Sequence, residues 1–129
     1  MSAPIIKHDV PKHPDDDPDH PIPSLAVLDV AAILKSGGAD LTIVIASPLA
    51  ADERSLTRLL DKIQGYLGHI QSPEFQQEAG APNPGNTTIK VLIHPDSSSE
   101  AFDLLERSKD WVLVNQATLK IELLDLAVH

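Results

Sequence analysis

The stretch DERSLTRLLDKIQGYLGHIQ, residues 52–71, decides how the rest of the chain is read. Leu56, Leu59, Leu60, Ile63, Leu67 and Ile70 recur at steps of three and four, the period of a helix that buries one face. Asp52 is placed to cap the N-terminus by accepting a backbone N–H bond. Ser72-Pro73 ends the helix, because the residue before a proline avoids the α region. Gly65 and Gly68 inside it cost ~1 kcal/mol each relative to alanine. They mark either the close approach of another backbone or a locally weakened turn. Arg58, Lys62, Gly65 and His69 fall away from the apolar stripe, which predicts a surface position for His69.

Upstream, LTIVIAS (41–47) is too short and too β-branched for a helix and reads as a strand. SLAVLDVAAIL (24–34) is apolar apart from Asp29, and the intervening Lys35-Ser36-Gly37-Gly38-Ala39-Asp40 is a turn-forming loop. Two such runs around paired glycines predict an antiparallel hairpin. The glycines do not form a phosphate loop: they join two strands rather than opening a helix, and no G-K-[ST] is present. Downstream, Ser72 and Pro73 start a short turn carrying Phe75, and AGAPNPGN (79–86) is a loop. NTTIKVLIH (86–94) alternates Ile89, Val91 and Ile93 against Thr88, Lys90, Leu92 and His94, the period of a strand. Asn86-Thr87-Thr88 matches a glycosylation acceptor but stands without a secretory signal. Ser97-x-x-Glu100 is a capping box opening a second helix over 97–114, with Trp111–Val114 equally suited to a strand. ATLKIELL (117–124) is the last strand.

The order β-β-α-β-α-β, with right-handed crossovers and consecutive strands adding in the same direction, puts both helices on one face of a four-stranded mixed sheet. The strands alternate rather than running apolar throughout, so an α+β two-layer sandwich with one bare face is expected. Val44, Leu92 and Leu124 then lie on the bare face and form a candidate interface for a homodimer or another protein. Residues 1–23 hold six of the eleven prolines and Asp15, Asp16, Asp17 and Asp19. They predict a disordered tail ahead of a single domain over 24–129.

Leu60, Lys62, Ile63, Tyr66, Leu67, Ile70, Ser72 and Phe75, following a strand of the LTI type, resemble the helix pattern LQEKLNAYLxFIESGEL of a small bacterial family of uncharacterised α+β domains. The likeness spans residues 25–124, with Gly65 and His69 departing from it. It implies a fold and no activity.

Composition narrows the function classes. A net charge of −9 disfavours binding to phosphate backbones or anionic membranes, and only four aromatic residues, Tyr66, Phe75, Phe102 and Trp111, are available for stacking. Cysteine is absent, which removes disulfides, thiol nucleophiles and thiolate metal sites. No apolar run reaches membrane-spanning length, and a soluble cytoplasmic protein is the expectation. No catalytic-motif spacing occurs, and no cofactor is expected. One ligand-binding candidate is the edge where strand C-termini meet helix N-termini, with His94, Asp52, Asp96 and Ser97 converging there. The same residues also serve as helix caps and strand ends. His8, His13 and His20 among the tail carboxylates are weak metal candidates, because gathering them costs chain entropy.

Overall fold

The computed structural model describes residues 16–25 and 28–125. Its elements are β1 (Val30–Ile33), β2 (Ala39–Ile45), α1 (Glu53–Ile70), α2 (Pro73–Ala79), β3 (Thr87–Ile93), α3 (Ser99–Val114) and β4 (Thr118–Leu123). The strands lie side by side in chain order, β1 antiparallel to β2 and the other neighbours parallel. Register aligns Leu41, Ile43 and Ile45 with Ile89, Val91 and Ile93, and these with Leu119, Ile121 and Leu123. All but Ile121 and Leu123 are buried, together with Leu59, Ile63, Leu67 and Ile70 of α1 and Ala101, Leu105 and Val112 of α3. The core is therefore one layer between the sheet and its helices, and among the described residues the opposite sheet face is bare: an α+β two-layer sandwich. No helix among the described residues is long and apolar enough to cross a membrane.

Several boundaries differ from expectation, each for a local reason. The first strand covers only Val30–Ile33 rather than 24–34. Its pairing stops there because the Asp29 carboxylate accepts the Val44 N–H at 3.0 Å, taking the place of a strand carbonyl. The cap of α3 is Ser98, whose hydroxyl accepts from Ala101 N, one residue later than the capping box at Ser97 implies. Ser97 is occupied elsewhere, accepting the Leu49 N–H at 3.0 Å and joining the loops that follow β2 and β3. Trp111–Val114 completes α3 instead of starting a strand. Val112 is fully buried in the helix layer, and Gln116, at φ 74°, turns the chain into β4. The segment expected as a tail through residue 23 is described from residue 16 and is packed: Ile22 is 1 % exposed. His8 and His13 lie outside the described residues, as does His129.

The glycines divide by what surrounds them. Gly38 sits at φ +87°, and a Cβ there would lie 2.0 Å from the Asn86 carbonyl oxygen, where the hairpin loop meets the chain entering β3. A Cβ on Gly65 would come 3.2 Å from the Leu25 carbonyl, so a second backbone does approach that turn; Gly68 has nothing within 4 Å. Gly38→Ala should accordingly unfold the domain or lower its melting temperature severely, because neither backbone can move aside. Gly68→Ala should raise stability by ~0.5–1 kcal/mol through helix propensity alone. Urea titration of both variants measures this; a neutral Gly38→Ala would contradict the packing described.

Candidate functional site

Four side chains spaced four residues apart run along one side of α1: Arg54, Arg58, Lys62 and Tyr66. In sequence Arg58 and Lys62 face away from the apolar stripe, and Tyr66 borders it. In the structure Arg58 is 6 % and Lys62 1 % exposed, because residues 16–25 and Asp29 lie over them as a strap. Arg54 pairs with Asp17. Arg58 donates from Nε and Nη2 to the Ile22 carbonyl at 3.0 and 2.6 Å. Lys62 Nζ donates to the Ser24 carbonyl at 2.6 Å and to Asp29 at 3.1 Å. Tyr66 Oη accepts from Asp29 N at 2.7 Å and donates to the Thr42 carbonyl at 2.9 Å, linking strap, helix and sheet. Burial pushes the Tyr66 phenol well above its ordinary pKa, so the hydroxyl stays protonated and able to donate. His69, expected at the surface, is half-buried with its ring edge-on to Phe75 at 5.1 Å.

His20 belongs to this strap. Its Nδ1 accepts the Ile22 N–H at 2.9 Å, and its Nε2 lies 3.0 Å from Ser55 Oγ. Because Nδ1 is an acceptor, the neutral ring carries its proton on Nε2 and donates to Ser55. A nucleophile–base pair requires the reverse, with Nε2 accepting from the hydroxyl. The His20–Ser55 contact is structural, and Ser55 is itself buried. Burial, then the charges of Arg58 and Arg54, lower the His20 pKa, against Asp17 and Asp52, which raise it. The Arg54 hydrogen bond holds the exposed Asp17 carboxyl below its ordinary value, and the Ser55 hydroxyl does the same for Asp52.

The strand-end candidates are distributed among similar tasks. Asp52 caps α1 by accepting from Ser55 N at 3.2 Å. His94 Nδ1 accepts the Asp96 N–H at 3.0 Å within its own turn, and Ser97 holds Leu49. Their loops share an edge, but the hydrogen bonds run to backbone groups rather than toward a common centre. Among the described residues, no three His, Asp or Glu side chains converge as metal ligands.

The bare sheet face is different. Cross-strand rows place Thr42 beside Lys90 and Lys120, and Val44 beside Leu92 and Glu122. Val44, Leu92 and Leu124 are each half-buried. Asp40, Thr42, Thr88, Lys90, Lys120 and Glu122 surround a shallow polar hollow of about 130 Å³. Lys90 Nζ and Glu122 approach to 3.7 Å across it, both largely exposed, which contributes little stability. Sequence alternation identifies this face; the hollow comes from strand register.

Two outcomes test the strap. Lys62→Ala leaves Asp29 and the Ser24 carbonyl without their cation. It should cost ~2–3 kcal/mol in a urea titration, less than the ~3–5 kcal/mol of a fully buried pair because Asp29 is partly exposed. The lowered His20 pKa means that, below the ordinary value of 6.5, the unfolded chain takes up a proton that the folded chain does not. Stability therefore falls with pH through that window. The decline in melting temperature from about pH 7 to about pH 5 should be shallower in His20→Asn, whose side chain stays neutral while keeping an acceptor.

No family model, no curated protein and no solved structure matches this chain.

Proposed function

We propose that this domain is a non-catalytic protein-interaction module that works through its bare sheet face. One observation carries the reading: on a chain of net charge −9, the face balances Asp40 and Glu122 with Lys90 and Lys120 beside an apolar end made by Val44 and Leu92. An acidic protein repels other acidic surfaces over most of its exterior. A neutral patch continuing into Val44, Leu92 and Leu124 at its C-terminal end is where another protein surface approaches without that repulsion, and where half-exposed apolar area remains to be buried. The polar hollow beside it, across β2, β3 and β4, supplies hydrogen-bond positions. The strap histidine and the capping carboxylates are engaged with backbone groups, which weighs against a hydrolytic or metal-dependent role. The likeness of α1 to a family of uncharacterised domains is consistent with this reading and adds no activity to it.

The test uses a photoreactive amino acid placed at Leu92, with Glu106 on the exposed side of α3 as the control position. Irradiation in cells should give a discrete protein adduct at position 92 and none at 106, and its mass distinguishes a second copy from another protein. Adducts equal at both positions, or absent from both, would overturn the reading. Leu92→Lys, tested on the same chain with the photoreactive residue moved to Val44, should abolish the adduct. It should leave the melting temperature nearly unchanged, since position 92 lies outside the core.

A further inference from the structure

The outer edge of β1 is short, but among the described residues it carries no charge, proline, bulge or covering element to keep it from pairing. Its four residues, Val30, Ala31, Ala32 and Ile33, are uncharged, lack proline, and are all exposed, Val30 at 51 % and Ile33 at 41 %. The register Val30↔Thr42 through Ile33↔Ala39 tells which backbone groups are free. Leu34 N donates to Gly38 O, so Leu34, Ala32 and Val30 turn their N–H and C=O toward β2. By alternation, Ala31 and Ile33 turn theirs outward.

We propose that β1 pairs antiparallel with β1 of a second copy about a two-fold axis perpendicular to the sheet at Ala32, giving one continuous eight-stranded sheet. The inference concerns an edge rather than a face and does not depend on what docks on the bare face. Such an axis keeps each face on its own side, so residues of like parity must oppose one another. Centring it on Ala32 sets Ala31 across from Ile33 of the second copy, and by symmetry Ile33 across from Ala31. These are the residues whose backbone groups are free, and both reciprocal hydrogen-bonded pairs form. Centring it on Ala31 instead sets Ile33 against Asp29, whose N–H already donates to Tyr66. That register is excluded by an occupied donor.

The side chains agree with the Ala32 register. Beside Ala31 on the helix side lies a groove of about 320 Å³, lined also by Ile33, His69, Phe75 and the carboxylates Glu74 and Glu78. The Ile33 side chain of the second copy, directly across from Ala31 on that face, enters this groove against Phe75, and the contact repeats across the axis. Val30 meets Leu34 of the second copy on the bare face. At the ends of the pairing, Asp29 comes level with Lys35 of the other chain, an attraction between two molecules that otherwise repel. The charge complementarity and the reciprocal groove commit the edge to a copy of this chain. Since the paired edge is short, the dimer is expected to dissociate on dilution.

The experiment combines analytical ultracentrifugation with a register-specific cross-link. The wild-type chain should sediment as a concentration-dependent dimer. Ala31→Pro removes an outward N–H without touching the β1–β2 ladder, so it should weaken dimerisation by at least about tenfold with an unchanged circular dichroism spectrum. Ala32→Cys introduces the sole thiol of a chain without cysteine. On the axis its two copies form a non-hydrogen-bonded pair ~4.5 Å apart between Cα atoms, within disulfide reach. Oxidation should link it nearly completely, with Ser36→Cys, equally exposed but outside the strand, linking far less. If Ala31→Pro fails to fold, the cross-link decides alone. A wild-type chain monomeric at about 1 mM, or equal linkage at 32 and 36, would overturn the proposal. Leu92→Lys should leave this dimer intact, so its failure and that of the bare-face reading are separate results.

Discussion

The buried Lys62 ammonium is the group on which the two layers and the strap jointly depend. A charge taken out of water is retained only where fixed partners replace its hydration. Here the Ser24 carbonyl, 2.6 Å away, and the Asp29 carboxylate, 3.1 Å away, do so. Asp29 is then fixed firmly enough for its second oxygen to accept from Val44 N and end the β1–β2 pairing. Its own N–H reaches Tyr66, which reaches Thr42 in the sheet. One side of α1 thus sets the length of β1, and with it the short edge that remains open. Arg58 and Arg54 extend the same hold toward Ile22 and Asp17.

This arrangement consumes most of the chemistry that sequence makes conspicuous. A histidine, a serine and an aspartate close together read as catalytic until their protons are assigned. His20 accepts a backbone N–H on Nδ1, so its other nitrogen must donate, and the trio becomes a brace. Ser97, Asp52 and His94 are likewise bonded to backbone N–H groups. What remains unengaged is surface rather than site: a bare face of balanced charge and an uncharged edge strand. Both suit recognition between macromolecules, where area and complementarity matter more than reactive groups.

Much of the fold was legible because it rests on short-range periodicity. Leu59, Ile63, Leu67 and Ile70 announce α1, the alternation in 87–93 announces β3, and handed crossovers together with one apolar strand face point to strands added in one direction. The strap was not legible in that way. Its prolines and aspartates have the composition of a solvated tail, and packing overrode composition because α1 supplies donors for the carbonyls of a segment poor in its own. One signal was available: Arg54, Arg58 and Lys62 at four-residue steps in an acidic chain form a basic stripe that calls for acceptors. The cap of α3 shifted from Ser97 to Ser98 for a comparable reason, since Ser97 meets Leu49, a contact 48 residues away in the chain.

Sequence by itself determined the two periods, the capping residues to within one position, the bare face with Val44, Leu92 and Leu124, and the absence of thiol chemistry, because each depends on neighbours a few residues apart. Tertiary structure alone decided that a proline-rich segment becomes a strap, that Lys62 is buried, and that His20 is an acceptor. It also decided that β1 stops at Val30, leaving Ala31 and Ile33 with outward-facing backbone groups. These depend on which carbonyl or N–H arrives from a distant part of the chain, and beyond the basic stripe on α1 such contacts leave no periodic mark that names their partners.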